Sequence, residues 1–96
     1  MKTGIELLMV ERNRQITEEG YTHEHDSQHD SQEFIGAAIA YAVASLRGAS
    51  HSSGLKWWPW EETGFKPSMD ERRNLVKAGA LIAAAIDRLQ TDTEEK

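Results

Sequence analysis

Two apolar blocks dominate the chain, FIGAAIAYAVASL at 34–46 and LVKAGALIAAAI at 75–86, and both are rich in alanine with a glycine inside. Residues this small let helix backbones approach one another closely, so the blocks predict packed helices. In the second, Leu75, Gly79, Ile82, Ile86 and Leu89 step by four, three, four and three, the period of a helix lying nearly antiparallel to a neighbour. The first is apolar on every side and so is expected at the centre, surrounded by the other helices. Its uncharged run from Phe34 to Leu46 falls far short of the ~20 residues that span a bilayer.

Boundary signals place three helices, at about 4–19, 31–47 and 69–90. Thr3 with Glu6 reads as a capping box, Ile5, Leu8, Met9 and Ile16 follow at helical spacing, and Gly20 is the expected stop. Asp30 or Ser31 can cap the second helix and Gly48 ends it. Ser68 with Glu71 suggests a further capping box for the third. The tail 91–96, TDTEEK, is acidic and expected to fray. Between helices two and three, GASHSSGLKWWPWEETGFKP lacks a helical period and carries both prolines and all three tryptophans, which predicts a long Trp-rich loop.

The expected fold is therefore all-α, a three-helix bundle forming one domain over 1–96. A chain of 96 residues with a formal charge of -5 is too short for two cores, and its charge disfavours duplex nucleic acid as a partner. It has no cysteine, which excludes disulfides, thiolate metal centres and thiol nucleophiles. No membrane partner is expected, since charge interrupts the N-terminal segment before a signal-peptide core forms. Three short helices can hide only part of an all-round-apolar surface, so a homo-oligomer is the expected assembly.

Four groups of side chains can carry chemistry. His25 with His29 and Asp26 with Asp30 stand four residues apart, and with Glu33 they are candidate ligands of a divalent metal. The alternative for that turn is capping and hydrogen bonding, with no cofactor. Arg12 shares the apolar stripe of Ile5, Met9 and Ile16, so it needs a partner, either a carboxylate such as Glu33 or an anionic ligand. Arg14 faces elsewhere and is expected to be a solvated charge. Trp57, Trp58 and Trp60 beside Lys66 suit a nucleobase and its phosphate, or fold the loop on the bundle. Arg72, Arg73 and Lys77 open the third helix, where an anion is favoured. Pairing with Asp70 and Glu71 is the other explanation for that cluster.

The blocks ERNRQ, EHD with His29, WPW and RRNLVKAGALI before IDRL resemble a family of short phage and prophage proteins over nearly the whole chain. More distantly, ERNRQ and the last block resemble the all-α MazG-like nucleotide pyrophosphohydrolases, whose helices hold magnesium through two acidic pairs. The resemblance puts Glu33 at one acid of the first pair, but Gly36 at its partner and Asn74 and Lys77 at the second pair. It thus implies a helical nucleotide-binding shape without the oxygen ligands that the hydrolysis needs.

The function expected from these features is a phage-encoded, non-enzymatic protein without catalytic residues, working in the cytoplasm of a bacterial host. It would capture a nucleotide-like anion with Arg12, Trp57, Trp58, Trp60, Lys66, Arg72, Arg73 and Lys77, in an anti-defence role that sequesters an immune signalling nucleotide. The alternatives are a divergent metal-dependent nucleotide pyrophosphohydrolase and a protein-protein adaptor.

Overall fold

The computed structural model describes residues 1–18 and 30–94, and its regular structure there is entirely helical. Helix α1 covers Gly4–Thr17, α2 Ser31–Ala44, α3 His51–Leu55 and α4 Glu71–Glu94, with a single 3-10 turn at Glu62–Gly64 before α4.

The local start signals act as expected at two of three places. The Glu6 N–H donates to Thr3 Oγ1 at 3.2 Å and the Thr3 N–H to Glu6 Oε1 at 2.9 Å, so two end groups satisfy each other. Asp30 and Glu33 do the same at the start of α2, at 3.0 and 2.9 Å. The expected Ser68–Glu71 box is replaced by a different clip. Asp70 Oδ1 accepts the Arg72 N–H, and Ser68 Oγ accepts the Asp70 N–H. Asn74 then grips the Ser68 backbone from both sides, Oδ1 taking its N–H at 2.7 Å and Nδ2 donating to its carbonyl at 2.8 Å. At the other ends, α1 stops at Thr17, ahead of Gly20, which lies outside the described residues. Helix α4 runs on to Glu94, so most of the tail expected to fray is helical.

The expected long loop is largely organised. Helix α3 occupies its first part, and close approach of two backbones explains how. A Cβ on Gly54 would stand 2.6 Å from the Ala40 carbonyl oxygen and 2.9 Å from Phe65 Cζ, so only glycine lets α3 lie directly on α2. Further along, Trp58 packs edge-on to Tyr41 and Trp60 edge-on to Phe34. The Trp58 Nε1–H donates to the Glu61 carbonyl at 2.8 Å, and Tyr41 Oη accepts the Lys66 N–H at 3.0 Å. The segment thereby joins the core of Phe34, Ala37, Ala38, Ala40, Tyr41, Trp58, Phe65, Ala78, Leu81, Ala84 and Ala85.

The order of the helices differs from expectation. Helix α1 packs on α4, and α2 packs on both α4 and α3, so α2 and α4 share the middle of the bundle and α2 is not surrounded by all the other helices. The stripe Leu75, Ile82, Ile86 and Leu89 also does not face the interior; each of these is about half exposed. Alanines fill the inner face instead, because α2 approaches too closely for larger side chains. Gly79 receives Leu8 of α1 on its open face, where a Cβ would collide with a Leu8 methyl.

Candidate functional site

A buried carboxylate organises the junction of α1 and α4. Glu11 is 2 % exposed, although it sits mid-helix on α1. Arg14, one turn later, meets it with two hydrogen bonds, Nε to Oε1 at 2.9 Å and Nη2 to Oε2 at 2.8 Å. Arg73 reaches over from α4 and places Nη1 2.7 Å from Oε1. Gln15 Nε2 lies 3.4 Å from Oε2. Burial alone raises the pKa of this carboxyl, but the hydrogen bonds and charges of Arg14 and Arg73 outweigh it and hold Glu11 below its ordinary value of 4.5. Glu11 is therefore an anion at neutral pH, shared by two guanidiniums.

Beside this cluster opens a cleft of about 80 Å³, lined by Glu11, Arg14, Gln15, Tyr41, Trp58, Gly64, Lys66, Lys77 and Leu81. The space admits several waters or one phosphate-sized group. Lys77 Nζ donates to the Lys66 carbonyl at 2.8 Å and stands 5.2 Å from the centre of the Tyr41 ring, a cation held by a carbonyl and a π face. Gln15 is 3 % exposed, and its Oε1 has no hydrogen-bond partner among the described residues. Around the cleft and its back wall stand Arg14, Arg73, Lys66 and Lys77 with the buried Glu11, while the exposed Glu18 lies 3.6 Å from Arg14 at the rim. Cations outnumber carboxylates here in a chain whose overall charge is -5.

The residues expected to bind a ligand divide into two places. Trp58, Lys66 and Lys77 line one cleft, and Arg73 joins them through Glu11. Trp60 packs on Phe34 and Trp58, while Trp57 is half exposed and does not line the cleft. Arg12 and Arg72 each line an apolar hollow of the α1–α4 pair away from the cleft, Arg12 with most of its side chain covered. Arg12 Nη2 lies 3.7 Å from Asp87 Oδ2, an ion pair with a carboxylate of α4. Arg14, expected to be a solvated charge, holds the buried Glu11. Neither Glu11 nor Gln15 was expected in the site. Their signal was the ERNRQ block, in which Glu11 and Arg14 stand three residues apart and face each other on a helix.

Of the candidate metal ligands, His25, Asp26 and His29 lie outside the described residues. Asp30 and Glu33 cap α2. Among the described residues no group of three or more His, Asp or Glu side chains is placed to hold a metal ion. Asn74, at a position where the resemblance to pyrophosphohydrolases expects an acid, is 1 % exposed and engaged with Ser68. Among the described residues no helix is long and apolar enough to cross a membrane. No family model, curated protein or solved structure matches the chain.

Proposed function

We propose that this chain is a non-enzymatic binding protein that captures a nucleotide-like anion, its phosphate entering the cleft beside Glu11. The observation that carries the reading is the concentration of Arg14, Lys66, Lys77 and Arg73 around one carboxylate, within an acidic chain. Glu11 offsets only one of the two guanidiniums it touches, so an arriving anion meets a net positive field in a partly enclosed space. Tyr41 and Trp58 offer aromatic walls, and Gln15 Oε1 supplies an acceptor for a ligand N–H or O–H. The cleft suits the phosphate end, and a base would lie outside it, towards solvent. The resemblance to phage proteins supports a setting in the bacterial cytoplasm and an anti-defence role, with the protein working as a homo-oligomer.

Calorimetry with a panel of cyclic and linear nucleotides, in the absence of magnesium, tests the reading. Binding should weaken on the order of 10-fold in Lys66→Ala and again in Lys77→Ala, as expected when each removes one charge-assisted contact. No heat of binding at high protein concentration, or binding indifferent to both substitutions, overturns it.

A further inference from the structure

We infer that the cleft beside Glu11 recognises a terminal phosphate in its singly protonated form, and so selects a linear nucleotide over a cyclic phosphodiester or a sulfate. This assignment rests on the anion capture proposed above and specifies which anion.

Cations alone do not choose between anions. Arg14, Lys66 and Lys77 along the cleft and Arg73 behind it attract a phosphate, a sulfate or a phosphodiester alike. An acceptor in the same wall does choose. Gln15 lines the cleft and is 3 % exposed, and its Oε1 is shielded from solvent with no hydrogen-bond partner among the described residues. Buried polar atoms of folded chains are nearly always paired, so this oxygen calls for a donor that the chain does not supply. Which end of the amide is left over follows from its neighbour. Nε2 stands 3.4 Å from Glu11 Oε2, and the reverse placement would set an oxygen against that carboxylate. Glu11 is an acceptor too, already met by Arg14 and Arg73. A guest at this wall must therefore bring a hydrogen as well as a negative charge.

A terminal phosphate brings both. Its second proton leaves at about pH 6, so near neutrality a monoanion with one P–O–H group is at hand. The hydroxyl donates to Gln15 Oε1 while the other oxygens face the cations. An internal phosphodiester and a sulfate carry no proton at that pH, and either one sets a bare oxygen against Oε1. A cleft of about 80 Å³ holds one such group, so the choice is made at a single phosphate.

Calorimetry on the full chain tests this with inorganic phosphate, inorganic sulfate, adenosine 5′-monophosphate and its 3′,5′-cyclic form. At about pH 6, phosphate should bind more tightly than sulfate, and the 5′-monophosphate more tightly than the cyclic form, each on the order of 10-fold. Both advantages should shrink towards pH 8 as the terminal phosphate loses its proton. Among the described residues the other ionisable groups at the cleft are Glu11, Glu18 and Tyr41, and like arginine and lysine these types do not ordinarily titrate between about pH 6 and 8. Sulfate and the cyclic nucleotide do not titrate there either, so they report any ionisation of the protein itself, its histidines included. Gln15→Met keeps the length of the side chain and deletes the acceptor, and should remove both preferences with unchanged helical circular dichroism; the pH trend of the native chain needs no variant. Equal affinity for phosphate and sulfate across the range would mean that water alone serves Oε1, and would overturn the assignment while anion capture stands. Preferences that survive Gln15→Met overturn it as well. Binding by none of these probes, nor by the wider nucleotide panel, removes anion capture and this assignment with it.

Discussion

Arg73 on α4 reaches Glu11 on α1 with 2.7 Å between Nη1 and Oε1, and the carboxylate it meets is almost wholly buried. This contact ties the first helix to the last, and it shares its acceptor with Arg14. Removing the acceptor charge leaves two guanidiniums facing one another across a neutral amide, with no carboxylate between them. Glu11→Gln should therefore destabilise the chain by about 3 kcal/mol, more than Arg14→Gln, since Arg14 is partly exposed. Urea unfolding followed by circular dichroism measures both.

The same carboxylate gives the stability a dependence on pH. Its pKa is lower in the folded chain than in the unfolded one, so its contribution is fully present above the ordinary value of 4.5. That contribution is lost as the pH falls through the lowered folded value. Thermal melts between neutral and acid pH should show a decline on the acid side of 4.5, and Glu11→Gln should flatten part of it.

Gly54 should tolerate no side chain. In Gly54→Ala the new methyl meets the Ala40 carbonyl and the edge of Phe65, so α3 must lift from α2 at a cost of about 1 to 3 kcal/mol. Gly4→Ala, where nothing stands within 4 Å of the added carbon, should be neutral or slightly stabilising. The difference in melting temperature between the two variants isolates the packing effect from the intrinsic preference of alanine for helix.

Asn74 should resist conversion to the acid expected from pyrophosphohydrolases. Its Nδ2 donates to the Ser68 carbonyl while Oδ1 accepts the Ser68 N–H. Asn74→Asp replaces the donor with a second acceptor against a carbonyl and buries a charge. A loss of about 1 to 3 kcal/mol is expected, with no gain of magnesium affinity by titration calorimetry.

The terminal signals and the long apolar runs were legible because their physics is local. Thr3 and Glu6 satisfy each other within one turn, and Asp30 caps α2 as one of the two residues expected there, with Glu33 completing a box that was not expected. The stripe from Leu75 to Leu89 was legible as a helix face, but periodicity alone does not say whether its neighbour belongs to the same chain. The site was legible in pieces. Trp58, Lys66 and Lys77 stand on the expected segments, whereas the partners of Arg12 and Arg14 depend on how α1 lies against α4. A charged residue in mid-helix reads as solvated until a distant cation is known to cover it. Helix α3 escaped notice because HSSGL has too few residues for a period and forms through contact with α2.

The fully buried side chains of α1 are Glu11 and Gln15; Ile5, Met9 and Val10 look outward, and Leu8, seated against Gly79, is an apolar anchor. In the isolated chain the first helix is thus latched more by ions than by oil, unlike α2, whose aromatic rings are sunk in the interior. Its amides should exchange with deuterium sooner than those of α2 and α4, making it a separate cooperative unit whose detachment precedes global melting.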